Sequence, residues 1–303
     1  MEVIRSRSWY QTEDGSSRGY ISPHELKELW FHTGTACNLS CDFCLEGSGP
    51  GNNRLELIKL VDAEPYIRQA VVLGVQQFSF TGGEPFLAKD LVKILQAAAK
   101  HAPCLVLTNG TDALQKRIKQ LDVLQDTEYP VSFRVSIDSP DESVHDQGRG
   151  EGMFASALTG MKMLHERGFS VSLARHMADG EDTAAVEQAY RNVLNDFGLP
   201  ADIKFVAFPD FLPPGSMGHG PDITTNCMTQ YHTEESRRSF MCAFSKMLVK
   251  QKGRMRVYAC TLVDDDTEYD LGDDLAAALE QRISMRHHRC FSCFKYGSSC
   301  SET

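Results

Sequence analysis

The chain has 303 residues, a formal charge of −10, 42% hydrophobic and 24% charged residues, which suits a globular protein of one large domain plus a small one. The acidic balance removes phosphate-backbone binding as a main role, and no apolar run approaches the ~20 residues that cross a bilayer. Residues 1–8 carry arginines without the apolar stretch of a signal peptide, so a cytoplasmic protein with no nucleic-acid or membrane partner is expected.

In chain order, β-rich runs are predicted at residues 29–33, 77–81, 104–108, 133–137, 171–175 and 203–208. Amphipathic stretches at 90–100, 111–124, 153–167 and 183–197 predict helices between them. Strand–helix alternation implies a parallel sheet with right-handed crossovers. Six units are too few for a closed eightfold barrel, so the expected fold class is α/β, a partial (β/α)6 TIM-like barrel. In such sheets the chemistry gathers at the carboxyl ends of the strands. Pro209, Pro213, Pro214, Gly215, Gly218, Gly220 and Pro221 then mark a boundary. The chain is expected to divide into an extension (1–28), a core (29–220) and a small C-terminal α+β extension (221–303). In the last part, 244–250 and 254–259 predict a hairpin around Gln251-Lys252-Gly253, followed by a helix at 273–283.

Ten cysteines are the abnormal feature. In a reducing compartment, dense cysteines point to metal or catalysis before disulfides. Cys37, Cys41 and Cys44 follow the first strand as Cys-x3-Cys-x2-Cys. Three thiolates can hold three irons of a [4Fe–4S] cube and leave the fourth open. Structural zinc, with His32 as a fourth ligand, and three plain thiols are the alternatives. A second set, Cys242, Cys260, Cys290 and Cys293 with Cys300 as a substitute, has the make-up of a closed four-thiolate site for an auxiliary [4Fe–4S] cluster or zinc. Cys104 opens an apolar strand and reads as a buried small hydrophobe. Cys227 is a candidate hydrogen-atom donor, with a plain loop thiol as the alternative. No other catalytic residue is assigned. His287 and His288 read as surface histidines, Asp264-Asp265-Asp266 as a solvated turn, and Trp9 and Trp30 as packing residues.

Cys-x3-Cys-x2-Cys with Phe43 before the third cysteine resembles the signature of the radical S-adenosylmethionine (SAM) superfamily. Further segments follow in that family's order. Thr81-Gly82-Gly83-Glu84-Pro85 resembles the glycine-rich motif that contacts the SAM amino group. Leu107-Thr108-Asn109-Gly110 and Ser136-Ile137-Asp138-Ser139 resemble strand-end motifs near the SAM ribose and carboxylate. His145-Asp146-Gln147-Gly148-Arg149-Gly150 is similar to the next loop, with Arg149 suited to the SAM carboxylate. The resemblance implies cofactor contacts from Phe43, Gly82, Gly83, Glu84, Pro85, Thr108, Asn109, Ser136, Asp138 and Arg149. It also implies a SAM-binding [4Fe–4S] cluster and an electron donor such as flavodoxin or ferredoxin.

Residues 252–260 and 287–293 are similar to the SPASM and shorter twitch extensions of such enzymes. The chain ends three residues after Cys300, which makes one auxiliary cluster the expectation. The implied activity is reductive cleavage of SAM to a 5′-deoxyadenosyl radical that abstracts hydrogen from a substrate carbon. Oxidation or epimerisation of a small hydroxylated metabolite is the first expectation. Maturation of a ribosomal peptide by thioether formation, carbon–carbon bonding or epimerisation is the second; the 36 residues before Cys37 are few for a peptide-recognition domain. A non-catalytic iron–sulfur or zinc protein is the reading from another class.

Overall fold

The computed structural model describes residues 4–178, 180–209 and 221–297. Most of the breaker loop read as a boundary, and Cys300, lie outside the described residues. Eight strands form one sheet: β1 (Glu28–His32), β2 (Gln77–Thr81), β3 (Cys104–Thr108), β4 (Val131–Ser136), β5 (Val171–Met177), β6 (Lys204–Pro209), β7 (Ser245–Gln251) and β8 (Arg254–Tyr258). Their order is β6-β5-β4-β3-β2-β1-β7-β8, parallel throughout except for the closing β7–β8 pair. The two ends of this order do not pair, so the sheet is open, as a partial barrel requires. β1 is buried at every position, which is why its run carries no polar alternation.

The predicted strands are present within about two residues. The C-terminal hairpin, however, is part of the main sheet. Its strand β7 lies parallel to β1, with Leu29 opposite Lys246. Lys252 and Gly253 both have positive φ, 50° and 72°, so the hairpin closes through the two-residue turn whose twist suits its strands. The amino terminus is also tied in, because Tyr20–Ile21 pairs with Ile283–Ser284.

Three helical expectations need correction. No helix was predicted over α1 (Leu60–Val72), which contains Pro65. Proline in the second turn removes one backbone bond, while the buried stripe Ala63, Tyr66, Ile67 and Ala70 holds the helix to the sheet. The stretch 111–124 is not one α-helix but Asp112–Gln115 followed by a 3-10 helix, Ile118–Leu124. Its buried Ile118, Leu121 and Leu124 recur every third residue, the period of a 3-10 helix rather than an α-helix. The helix expected at 273–283 is only Leu275–Leu279. Gln281 turns back to donate to the Leu271 carbonyl at 2.8 Å, and Ile283 is taken by the two-stranded ribbon.

Candidate active site

The segment after β1 crosses the carboxyl ends of β2 and β3. Thr35 Oγ1 donates to Asn52 at 2.8 Å and accepts from the Leu55 amide at 3.0 Å, fixing the start of the cysteine loop. Asn38 donates to Thr111 and Asp112, both at 2.8 Å, which ties the loop to the segment after β3. The loop also presses on the glycine pair after β2. A Cβ on Gly83 would lie 2.3 Å from the Ala36 carbonyl oxygen, so only glycine lets the two backbones meet.

Cys37, Cys41 and Cys44 line one cavity of about 220 Å³ together with Phe43, Gly82, Gly83, Thr108, Asn109, Ser136, Asp138 and Arg149. These residues come from the loop after β1, the ends of β2, β3 and β4, and the last residue of a helix, Glu142–Arg149, where the sequence suggested a loop. Glu84 and Pro85 are not in the lining. The Glu84 carboxylate is buried behind it, accepting from the Phe86 amide at 3.1 Å, the Asn109 amide at 2.9 Å and the Thr108 hydroxyl at 2.9 Å. Glu84 thus stitches the end of β2 to the end of β3, and Pro85 starts the short turn Pro85–Leu87.

Burial pushes the Glu84 carboxyl up to about 7 against the pull of those hydrogen bonds. A carboxyl raised in the folded state stabilises it most below the ordinary value of 4.5, and that contribution disappears as pH rises through about 7. Over that window the native protein is expected to lose about 3 kcal/mol more than a Glu84→Gln variant, read from chemical unfolding at each pH.

The wall opposite the glycines is built on charge. Arg149 and Asp138 form a two-point ion pair, with Nη2 to Oδ1 at 2.8 Å. Although burial opposes ionisation, the Arg149 hydrogen bonds and charge hold Asp138 below the usual carboxylate range. Burial, followed by the Arg149 charge, brings the neighbouring His145 down to about 4. Its Nδ1 accepts from the Asp138 amide at 3.2 Å, as the neutral ring can. Phe43 lies against His176, ring centroids 4.8 Å apart, and under the Arg149 guanidinium.

The thiols fit an iron–sulfur cluster. Backbone amides of Leu39 and Ser48 point at Cys37 Sγ (3.4 Å) and Cys44 Sγ (3.3 Å), and such donors favour a thiolate. Burial pushes the Cys37 thiol up to about 11, so holding a metal means displacing a proton there. Among the described residues no three cysteine sulfurs lie within 4.8 Å of one another. Four sulfurs around one zinc at ~2.3 Å would sit about 3.8 Å apart.

Cys242, Cys260, Cys290 and Cys293 gather at a second, apolar chamber bounded by Phe240, Leu262, Tyr269 and Arg289. Cys290 and Cys293 share a face of the helix Cys290–Tyr296. Cys260 sits just beyond β8, and its sulfur accepts from the Leu262 amide at 3.4 Å. Burial raises Cys242, Cys290 and Cys293. Leu262 lines both chambers. Arg289 ties the two loops, donating to the carbonyls of Leu45 and Leu262, each at 2.9 Å. Cys227 joins neither chamber; it lies in Thr225–Gln230, where hydrogen bonds from Thr224 lower its thiol. Cys104 is buried in β3, as expected.

The acidic run 264–266 is not a solvated turn. Asp264 is 3% exposed and meets Arg54 at 2.7 Å, while Asp265 pairs with His287 at 3.1 Å and Asp266 with Arg286. The His287 side chain is correspondingly buried rather than at the surface. His32, Glu46 and Asp264 converge beneath the cysteine loop. The Arg54 guanidinium supplies the positive charge there. Sequence reasoning missed this network because its members are far apart in the chain. It also missed Arg175 and His176, lining residues from the end of β5 that carry no motif.

An open parallel sheet with a three-cysteine loop over its carboxyl edge, a glycine pair beneath and an ion pair opposite defines a cofactor-dependent iron–sulfur enzyme. The profile of the Radical SAM superfamily matches residues 31–193, and the chain belongs to that superfamily. Its cofactors are accordingly a [4Fe–4S] cluster and SAM. Among curated proteins it is 30% identical over 209 residues to the antilisterial bacteriocin subtilosin biosynthesis protein AlbA of Bacillus subtilis, covering 63% of this chain and 44% of AlbA. It is 29% identical over 172 residues to the GTP 3′,8-cyclase of Shewanella denitrificans, covering 56% and 50%. The chain therefore spans about half the length of the curated relatives it matches. Among solved structures it resembles the fold of Streptococcus suis SuiB bound to SAM, with a TM-score of 0.63, 16% identity, and coverage of 85% of this chain and 66% of that one.

Proposed function

We propose that this enzyme matures a ribosomally made peptide, using the Cys37, Cys41 and Cys44 site to start the radical and the Cys242, Cys260, Cys290 and Cys293 site as an auxiliary cluster. In this reading residues 29–220 are the radical SAM core and 221–303 the twitch-like extension. The observation that carries the substrate class is the similarity to AlbA, which runs over more of this chain than the superfamily match does. SuiB has also been solved with its precursor peptide SuiA.

When bound and reduced, the cluster and SAM supply a 5′-deoxyadenosyl radical able to remove a hydrogen atom from a substrate carbon. The chain's own residues do the rest. Cys37, Cys41 and Cys44 supply three thiolates. Gly82 and Gly83 let backbone approach the SAM amino group, and Asn109 and Ser136 offer polar contacts at the strand ends. Arg149, aimed by Asp138, would meet the SAM carboxylate. Phe43, Leu45 and Leu262 line the same cavity with apolar surface that would help exclude water there. Glu84 and Pro85 act from behind by holding the glycine pair in place.

Oxidation or epimerisation of a small hydroxylated metabolite is the second reading. It is favoured by the GTP 3′,8-cyclase relatives, named for a reaction on a small molecule. Anaerobically reconstituted protein, dithionite and SAM should yield 5′-deoxyadenosine. A precursor peptide encoded beside its gene is expected to raise that yield at least about tenfold and to leave with altered mass or stereochemistry. Stimulation by a sugar or aminocyclitol panel, with none by the peptide, would transfer the assignment to the second reading. No 5′-deoxyadenosine under any condition would refute both.

A further inference from the structure

The chamber formed by Cys242, Cys260, Cys290 and Cys293 has a positive charge built against it. Lys246 lies near the start of β7, between β1 and β8, and is fully buried. Its ammonium donates to the Cys242 carbonyl and to the Ser245 carbonyl, both at 2.8 Å. An ammonium has three donors, and neutral carbonyls do not offset its charge. Among the described residues it forms no ion pair with a carboxylate. Burial works against its charge, and the ionisable groups that favour the charge are Cys242 and Cys260. Two other buried cations are held differently: Arg289, at the chamber wall, donates to the Leu45 and Leu262 carbonyls, and Lys250, four residues further along β7, has Asp62 at 2.7 Å.

A lone buried ammonium is unfavourable unless an anion shares its surroundings. An oxidised [4Fe–4S] cluster on four thiolates carries a net charge of about −2, and one-electron reduction takes it to about −3. We propose that Lys246 is the counter-cation of the auxiliary cluster, offsetting its negative charge and raising its reduction potential. The proposal rests on reading Cys242, Cys260, Cys290 and Cys293 as a four-thiolate cluster site. Reduction adds one electron and one negative charge beside a fixed positive one, so the reduced form gains more from Lys246 than the oxidised form does. Lys246 makes no contact with substrate or SAM in this account; it is a positioning and charge-setting residue that acts through the cluster.

The test compares full-length wild type, Lys246→Met and Lys246→Arg after anaerobic reconstitution. Iron is counted, and each cluster is titrated with dithionite under electron paramagnetic resonance. A Cys242→Ala, Cys260→Ala variant identifies the auxiliary signal by removing it. If Lys246→Met keeps both clusters, at a fixed potential its auxiliary cluster should show a reduced-to-oxidised ratio at least tenfold lower, a shift of about 59 mV for one electron. The Cys37, Cys41 and Cys44 signal should stay in place, and Lys246→Arg should lie near wild type. Loss of the second cluster in Lys246→Met, with retention in Lys246→Arg, supports the same role during assembly. An unshifted auxiliary potential in Lys246→Met, or equal loss of the cluster in both variants, overturns the proposal and leaves Lys246 a packing residue. A wild type that binds only the first cluster would instead remove the auxiliary reading itself, and the role of Lys246 with it.

Discussion

Replacing Cys41 with alanine is expected to lower 5′-deoxyadenosine formation by at least about 10³-fold while leaving the fold in place. Cys41 lies on a loop without regular structure and is only partly buried, so its removal opens no core cavity. Surface-loop changes of this kind usually fall within ±0.5 kcal/mol. What is lost is one of three thiolates, and two do not hold a cube with one open iron. The iron content should fall by one cluster, with the auxiliary signal unchanged. Cys104→Ala is the contrast: that thiol is 1% exposed in β3, so it should cost about 1–2 kcal/mol of stability and leave SAM cleavage intact. Full activity in Cys41→Ala would end the assignment of the first site.

Gly83→Ala is expected to be strongly damaging to the site, because the added methyl group meets fixed backbone. The new Cβ would lie 2.3 Å from the Ala36 oxygen and 2.9 Å from the Thr35 oxygen. Both are backbone atoms on the segment leading into Cys37, so no side-chain rotation relieves the clash. The Gly83 amide also donates to the Gly34 carbonyl at 2.8 Å, and the Glu84 amide to Ala36 at 3.0 Å, locking the two segments together. Overpacking against fixed backbone costs about 3 kcal/mol or more. Here the displaced element carries the cysteines, so SAM affinity and iron content should drop along with the melting temperature. Gly49→Ala is the matched control. Its Cβ would meet only ordinary contacts, 3.8 Å from Ser40 Oγ and 3.9 Å from the Leu39 oxygen. A loss below about 1 kcal/mol with normal iron content is expected there. Equal behaviour of the two variants, measured by unfolding and iron assay, would show that the close approach is not required.

The sequence by itself determined the initiating chemistry. Cys37, Cys41 and Cys44 lie within eight residues of one another, so their cooperation needs only a local turn, and local spacing is visible in one dimension. The parallel sheet was equally legible, because its buried strands are short apolar runs separated by amphipathic helices. Gly82, Gly83, Asn109 and Ser136 were found together because each stands at a strand's last residue or within two residues beyond it, and parallel strands end at the same edge.

Tertiary structure alone decided what those residues touch. Glu84 sits beside Gly83 in sequence yet its carboxylate turns away from the cavity, because it caps the turn Pro85–Leu87 and accepts from Thr108 and Asn109 at the end of β3. Arg149 and Asp138 form an ion pair whose members belong to separate segments. The hairpin 244–259 looked like part of a separate unit but lies alongside β1, a pairing across more than two hundred residues that no local pattern encodes. That pairing puts Lys246 in the sheet with Cys242 in the helical turn just before it, buries Asp264 against Arg54, and sets Leu262 between the two cysteine chambers. Burial and long-range pairing depend on which elements become neighbours, and that is settled only when the chain closes on itself.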